Sequence, residues 1–305
     1  MTAVGVLKGS RLMRSRIADH VKAYVALTKP RIIELLLITT VPTMFVASRH
    51  VPSIGLIALT LVGGALAAGG ANAMNMVYDR DIDAIMERTK HRPLVTGACS
   101  ATGALIFAVT LEIASFVLFA TTVNVLSGVL AVSATAFYVL VYTMWLKRSS
   151  SQNIVIGGAA GAVPVLVGWT AVTGHLSLAP FIMFGIIFLW TPPHFWALAL
   201  RYKDDYAAAS VPMLPVTTDV GNVVRQIVIY TGLLWALSIV LAPVVHLGVA
   251  YLVVAILTGG LFFAQSLRLI RNVDAKRAMS LFSSSITYLT VLFVAMGVIA
   301  AIQHP

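Results

Sequence analysis

Residues 54–83 read IGLIALTLVGGALAAGGANAMNMVYDRDID, an apolar segment that ends in a cluster of acids. No charged side chain occurs in residues 53–74, and about 20 apolar residues are what a helix needs to cross a bilayer core. Asn75, Asp79 and Asp83 then follow at intervals of four residues. If the helix continues, these three side chains share one face of it. The stretch therefore predicts a membrane-spanning helix with a polar stripe at one end.

The apolar pattern recurs along the whole chain. Of the 305 residues, 59% are hydrophobic and 10% are charged, whereas a soluble domain has charges at about a quarter of its positions. This composition predicts an all-α integral membrane protein. Nine spans are predicted, at about 32–48, 54–77, 101–123, 124–146, 154–174, 177–200, 223–245, 247–267 and 281–302.

The basic residues support this number of spans. With nine spans, 20 of the 21 Lys and Arg residues fall on one side of the membrane, and Arg49 is the exception. The positive-inside rule places that side in the cytoplasm, as expected for a multi-pass protein of a bacterial inner membrane with a cytoplasmic N-terminus. The net charge of +10 then favours contact with membrane lipid and does not indicate nucleic-acid binding.

The same count divides the chain into two regions. Residues 1–31 are predicted to form a cytoplasmic amphipathic segment, in which Met13, Ile17 and Val21 contribute to an apolar face. Residues 32–305 are predicted to form a single transmembrane domain. The long loops after the second and sixth spans lie on the basic side, four helices apart, which suggests two related halves with a site between them.

Both long loops place acids beside cations. Oxygen ligands suit a hard divalent cation such as Mg²⁺, while Lys and Arg neutralise phosphate oxygens, so the combination fits a metal–diphosphate ligand. The alternative is that these groups only cap solvated helix ends. The first loop and the end of the fourth span supply Arg88, Lys90, Arg92 and Lys147, and the second loop supplies Arg201, Lys203, Asp204 and Asp205.

The sixth span contains the sequence Trp190-Thr-Pro-Pro-His194-Phe-Trp196. We expect the paired prolines to loosen the helix, because each removes a backbone hydrogen bond. On a helix, His194, Arg201 and Asp205 fall near one face. His194 either bonds to a neighbouring helix or is an axial ligand to a haem iron, with Arg201 near the propionates. The spacing alone does not choose between these interpretations.

These motifs resemble those of a known family. Asn75-x-x-x-Asp79-x-x-x-Asp83, followed by Arg92-Pro-Leu, resembles the first aspartate motif of the UbiA superfamily of intramembrane prenyltransferases. Three further motifs are similar to the branch of that superfamily that farnesylates protohaem IX: Tyr142-Thr with Lys147-Arg, Pro192-Pro-His-Phe-Trp, and Tyr202-Lys-Asp-Asp-Tyr. In one departure, Ala208 and Ala209 stand where many relatives have a second pair of aspartates.

The resemblance implies nine helices around a central cavity and a farnesyl transfer. The donor is farnesyl diphosphate, the acceptor is a vinyl group of haem B, the product is haem O, and the cofactor is Mg²⁺. Haem A synthase is then a possible downstream partner. The implied roles are catalytic for Asn75, Asp79, Asp83 and Asp205, metal-binding for Asp79, Asp83, Asp204 and Asp205, diphosphate-binding for Arg88, Lys90, Arg92, Lys147 and Lys203, and haem-binding for His194 and Arg201.

Two other functions stay open from the sequence. One is a UbiA-type prenyltransferase that acts on another aromatic acceptor, such as a hydroxybenzoate. The other is a membrane transporter, which the pseudo-repeat and the paired prolines of the sixth span would suit. Most of the ionisable groups gather at one rim of the predicted bundle instead of at mid-membrane, and this placement favours an enzyme.

Overall fold

The computed structural model describes residues 18–48 and 51–303, except for the side chains of residues 31, 32 and 34–37. These residues form a helical bundle without strands. Nine long helices account for most of it: α1 (Pro30–Ala47), α2 (Ile54–Tyr78), α3 (Ala101–Thr122), α4 (Val125–Ser149), α5 (Asn153–Thr173), α6 (Leu178–Arg201), α7 (Val220–Val245), α8 (Gly248–Arg271) and α9 (Ala275–Gln303).

The helices match the predicted spans. Among the described residues, the eight helices α2 to α9 are long and apolar enough to cross a membrane. Helix α1 has 18 residues, or about 27 Å at about 1.5 Å per residue, and its apolar part is the shorter stretch Ile38–Ala47. The prediction of an all-helical membrane protein is confirmed, and the predicted number of nine spans is close to the eight that meet both criteria.

Side-chain caps fix several of the helix starts. Ser53, Ser100, Asn124 and Asp219 each accept a hydrogen bond from a backbone N–H in the first turn of the helix that follows. Such caps satisfy N–H groups that have no partner within the helix. The Asn124 cap explains how α3 and α4 are separated where the sequence shows almost no polar interruption.

The long helices follow one another around the bundle in chain order. Helix α9 closes the ring by packing against α1, α6 and α8, and α1 also packs against α5. Large side chains fill the core among α6, α7, α8 and α9. Contacts among α2, α3 and α4 use small residues instead: Gly63 and Gly128 both lie against Phe119, with no room for a larger residue at Gly63. The small residues of α2 and α4 leave space for an internal cavity.

Helix α4 changes its winding in the middle. Its α-helical start, Val125–Ala136, is followed by the π-helix Phe137–Leu146 and one last turn, Lys147–Ser149. Such π segments are rare and often mark functional sites. Gly157 of α5 makes room for this segment, because a Cβ there would lie 2.3 Å from the Tyr142 ring.

Helix α6 runs without a break through Pro192 and Pro193. The paired prolines therefore do not end the helix, although each of them lacks the N–H that would donate to the preceding turn. Neighbouring contacts hold the segment in place, since the Trp190 indole donates a 2.8 Å hydrogen bond to the carbonyl of Ser285 on α9. Packing against α9 thus offsets the backbone hydrogen bonds that the prolines remove.

The described part of the N-terminal segment is a helix over residues 18–27. Its Ala23 and Leu27 are buried against Ala73 and Met76 of α2. Val21, which belongs to the predicted apolar face, is exposed. The other residues of that face include Met13 and Ile17, which lie outside the described residues. This helix therefore docks on the end of the bundle where the polar stripe lies.

Candidate functional site

A cavity of about 510 Å³ lies inside the bundle. Small and apolar residues of α2, α4, α5, α6 and α9 form most of its wall, and polar residues gather at the end where α2 stops. Six of the residues predicted for the site line this cavity: Asn75, Asp83, Arg88, Arg92, Lys147 and His194.

The acidic stripe crosses a kink. Helix α2 ends at Tyr78, Asp79 is the linking residue, and a short helix, Arg80–Ile85, follows. The backbone N–H of Asp79 still bonds to the carbonyl of Asn75 at 2.9 Å, and that of Asp83 to the carbonyl of Asp79 at 2.8 Å. The four-residue spacing therefore survives, and the three side chains are only 3%, 0% and 2% exposed in chain order.

Two buried ion pairs neutralise this stripe. Lys147 Nζ donates to Asp79 Oδ2, and Arg92 Nη1 donates to Asp83 Oδ2 at 2.7 Å. The amide of Asn75 donates to Asp79 Oδ2 at 2.7 Å and to Thr143 Oγ1 at 3.1 Å. Buried carboxylates need such partners, because an unpaired charge in a low-dielectric environment costs several kcal/mol, of order 3–5. The acids of α2 and the end of α4 thus form one polar unit.

One carboxylate oxygen of this unit has spare capacity. Asp79 Oδ1 is buried and accepts no hydrogen bond from the described residues. Few buried polar atoms in proteins lack a partner, and such an atom commonly points to a function or to a bound ion. Asp79 therefore has one oxygen bonded to Lys147, while the other accepts no hydrogen bond and has only the Arg148 guanidinium nearby, at 3.9 Å, so it can still bind a metal cation.

Lys29 also belongs to this end of the cavity, although the sequence analysis did not select it. Its Nζ donates a 2.8 Å hydrogen bond to Asn75 Oδ1, and its backbone has a φ of 52°, the left-handed conformation. Burial, together with the nearby Arg92 and Lys147 cations, lowers the pKa of Lys29 to about 7. The feature of the sequence that could have indicated Lys29 is its position directly before Pro30, as the last Lys before the first apolar span.

Arg88 links the two long loops. It lines the cavity, lies over the Tyr202 ring at 5.8 Å and is close enough to Tyr206 to affect the pKa of that hydroxyl. Burial is the main cause that raises the pKa of Tyr206. The two loops thus meet, but they do so through aromatic residues and not through opposing acids.

The remaining predicted residues lie outside the cavity lining. Helix α6 ends at Arg201, Tyr202 breaks the helical path, and a new short helix, Lys203–Ala208, begins. The expectation that His194, Arg201 and Asp205 align on one continuous helix is therefore wrong. In this arrangement Arg201 and Asp204 are exposed, Lys203 and Asp205 are partly buried, and Lys90 is exposed and paired with Glu87.

Asp81 points away from the stripe, as its position on the helix predicts. Its partner is Arg148, whose guanidinium donates two hydrogen bonds of 2.7 Å to the Asp81 carboxylate. The bond to Arg148 lowers the pKa of Asp81 to about 2. Asp81 is thus an acid of the same loop that does not belong to the buried unit.

His194 is buried in the cavity wall at a distance from the acids. Its ring stacks on Trp190 at 4.2 Å and on Phe282 at 4.4 Å between centroids. Its Nδ1 lies 2.6 Å from Ser285 Oγ, and that hydroxyl donates its own proton to the Phe282 carbonyl. Ser285 must therefore accept from His194, which assigns the ring proton to Nδ1 and leaves the Nε2 lone pair for another ligand.

The donor set of the acidic end fits Mg²⁺ in one of its common modes. The described residues contain no group of three or more His, Cys, Asp or Glu side chains placed to hold a metal alone. Mg²⁺ in phosphate-handling enzymes is usually held by one or two carboxylates, with phosphate oxygens and water as the other ligands. Asp79 with its spare oxygen, and Asp83 one turn further, match that requirement.

Comparison with solved structures gives the fold. A digeranylgeranylglyceryl phosphate synthase structure superposes with a TM-score of 0.77 at 19% identity, covering 93% of this chain and 99% of that one. A UbiA homologue from Archaeoglobus fulgidus, solved bound to GPP and Mg²⁺, gives a TM-score of 0.64 at 17% identity, with 90% and 99% covered. At these identities the likeness concerns the fold alone.

Sequence comparison gives the family. The model of the UbiA prenyltransferase family matches residues 36–301. A protoheme IX farnesyltransferase of Streptomyces coelicolor is 54% identical over 285 residues, covering 92% of this chain and 90% of that protein. A protoheme IX farnesyltransferase of Frankia alni is 53% identical, with 92% and 99% covered. The chain therefore belongs to the UbiA prenyltransferase family.

Proposed function

We propose that this protein transfers the farnesyl group of farnesyl diphosphate to a vinyl group of haem B, which gives haem O. The observation that carries the proposal is sequence identity: over 92% of its length, the chain is 54% identical to proteins named protoheme IX farnesyltransferase. The cavity supports it, because one end has acids and cations for a diphosphate and the wall carries a histidine with an available Nε2. A transporter has no comparable support in this arrangement.

The polar end binds the diphosphate in this proposal. Lys29, Arg88, Arg92 and Lys147 supply positive charge around it, and Asn75 holds Lys29 and Asp79 in place. Asp79 and Asp83 would hold Mg²⁺, and the bound ion would supply stabilisation of negative charge on the diphosphate. Lys147 and Arg92, which pair with these acids, are then placed to turn towards the phosphate oxygens.

The other predicted residues have lesser roles in this proposal. Asp204 is exposed and Asp205 is partly buried outside the buried polar unit, so the metal site rests on Asp79 and Asp83, which belong to that unit. Lys90 and Lys203 lie near the mouth, where positive charge attracts an anionic donor. Arg201 is exposed at the end of α6, a position that suits contact with haem propionates at the aqueous boundary.

The reaction needs little acid–base chemistry at the donor. As the bond between the diphosphate and the first farnesyl carbon breaks, the electron pair leaves with the phosphate and an allylic cation remains. The vinyl carbon of haem B attacks this cation, and water then adds to the cation formed on the haem side chain. Charge stabilisation at the polar end is therefore the main catalytic contribution of the protein.

The membrane context follows from the same proposal. We infer that the polar end faces the cytoplasm of a bacterial inner membrane, since 20 of the 21 basic residues lie on that side of the predicted topology. Both substrates have an apolar body and an anionic end, so each can approach from the lipid. The product remains in the membrane, where haem A synthase is the proposed next enzyme.

Membranes that contain this protein, supplied with haem B, farnesyl diphosphate and Mg²⁺, are expected to yield a haem heavier by one farnesyl group and one hydroxyl group. Mass spectrometry of the extracted haem gives the result, and membranes without the protein are the control. Prenylated 4-hydroxybenzoate with unmodified haem would instead assign the chain to a different acceptor within the same family.

The pKa of Lys29 makes the reaction dependent on pH. Only the protonated amine binds a diphosphate well, and a pKa lowered to about 7 means that this form is lost as the pH rises through 7. The value of kcat/KM for farnesyl diphosphate should therefore fall about tenfold per pH unit above that value. The pH above which kcat falls should be higher than that for kcat/KM, because bound diphosphate favours the charged amine and so raises the pKa of Lys29.

Replacing Lys29 by Arg tests this assignment, because a guanidinium stays protonated throughout the range. In the Lys29→Arg variant, kcat/KM should no longer fall as the pH rises above 7. In Lys90→Arg, which changes the exposed residue paired with Glu87, kcat/KM should fall as in the wild type. An unchanged profile in Lys29→Arg would show that another group titrates.

A further inference from the structure

The membrane interior holds a buried acid that the proposed chemistry at the donor does not use. Glu112 lies near the middle of α3 and is only 8% exposed. Its Oε1 accepts a 3.0 Å hydrogen bond from Thr135 Oγ1 of α4, and its Oε2 is buried with no partner among the described residues. An ionisable group kept at such a depth is costly and usually has a function.

The carboxyl of Glu112 lies directly behind the cavity wall. It fits over Gly70 of α2, where a Cβ would come within 2.5 Å of Glu112 Oε1. On either side of it, Ala71 of α2 and Thr135 of α4 line the cavity. Gly70 is thus the residue that lets the acid approach the wall, and Thr135 is its connection to the cavity.

The depth of this pair matches the place where the cation forms. Gly70 lies five residues before Asn75, which is about 7 Å deeper along α2 at about 1.5 Å per residue. The diphosphate lies beside Asn75 and Asp79 in the proposed function, and the farnesyl carbon that reacts is bonded directly to it. Glu112 and Thr135 therefore lie close to the level at which bonds break and form.

The Thr135 hydroxyl is directed at a side chain of another helix, unlike two other threonines that line the cavity. Thr60 and Thr191 donate to carbonyls of their own helices, at Leu56 and Ile187. Thr135 donates to a carboxyl group on another helix. Because its only proton is directed at Glu112, its lone pairs are left to accept a hydrogen bond from a water molecule in the cavity.

We propose that Thr135 holds the water molecule that adds to the prenylated haem, and that Glu112 positions Thr135 and receives the proton. This inference rests on the proposed function. The water oxygen bonds to the cationic carbon of the former vinyl group, one water proton moves to Thr135 Oγ1, and the Thr135 proton moves to Glu112.

The composition of the product tests this proposal. Without a positioned water and a proton acceptor, the cation loses a proton from carbon and gives an alkene, lighter than the hydrated product by one water. Thr135→Val keeps the shape without the hydroxyl, and Glu112→Gln keeps the size without the base. Both should raise the ratio of alkene to hydrated product by about tenfold or more while farnesyl transfer continues.

Two further variants make the test specific. Thr135→Ser keeps the hydroxyl and should retain the wild-type ratio. Thr110→Val makes the same change as Thr135→Val at an exposed threonine of α3 that donates to the Ile106 carbonyl, and it should also retain that ratio. Because the readout is a ratio, it does not depend on how much of each variant folds.

The outcomes separate this inference from the proposed function. A wild-type protein that makes no prenylated haem would contradict the proposed function itself. A wild-type ratio in both Thr135→Val and Glu112→Gln, measured in proteins that still transfer farnesyl, would contradict the roles given to these two residues alone.

Discussion

Asp79→Asn and Asp83→Asn should each lower the rate of farnesyl transfer by about 10³-fold, or about 4 kcal/mol of transition-state stabilisation. Both acids are buried, and each changes its charge but not its shape in these variants. The loss has two causes: fewer charges to hold Mg²⁺, and an unpaired Lys147 or Arg92 left in a buried site. The initial rate of prenylated haem formation at saturating substrates measures the effect.

Asp81→Asn is the matched control for these two variants. It makes the same change in the same short loop, but Asp81 is exposed and its hydrogen bonds to Arg148 are at the surface, although Arg148 Nη2 also lies 3.9 Å from Asp79 Oδ1. Surface pairs of this kind contribute less than about 1 kcal/mol, so its activity should stay within a few-fold of wild type. Near-normal activity in Asp79→Asn or Asp83→Asn, with the protein inserted normally, would refute the metal assignment.

His194→Ala should weaken haem binding by about 10- to 100-fold and remove the spectral features of an axial imidazole ligand. The structural reason is the fixed tautomer, in which Ser285 accepts from Nδ1 and Nε2 carries the lone pair. Replacing Ser285 by Ala should leave the ligand in place but weaken binding to a lesser extent, because the ring loses its orienting partner. Optical titration of the membrane protein with haem B measures both effects.

His175→Ala serves as the control, because His175 is exposed in the turn between α5 and α6. It should bind haem as the wild type does. If His194→Ala gives an unchanged haem spectrum, His194 has only a packing role between Trp190 and Phe282.

The helices could be predicted from the sequence because the bilayer imposes a simple rule on them. Spans need about 20 apolar residues, and charges must lie at their ends, so α2 was predicted within one residue at each end. The acidic stripe was also predictable, since backbone hydrogen bonds carry the four-residue spacing across the kink at Asp79. Local rules determine both features.

The parts that the sequence did not reveal depend on contacts between distant residues. Lys147 meets Asp79 across 68 positions, and it does so from the last turn of α4, directly after a π-helix that no residue preference in α4 indicates. His194 and Asp205 were predicted to share one helix face, but the helix ends before Tyr202. No proline or glycine at that position indicates this helix end. Lys29 reaches Asn75 only because of its left-handed backbone. Three-dimensional packing, not local preference, decides such features.

The mass of the haem recovered from purified protein tests the central claim most directly. Protein incubated with haem B, farnesyl diphosphate and Mg²⁺ is expected to convert haem B into a species heavier by one farnesyl group and one hydroxyl group. This conversion should disappear in Asp79→Asn and persist in Asp81→Asn. Haem of unchanged mass, from a wild-type protein that is folded and binds both substrates, would contradict the account.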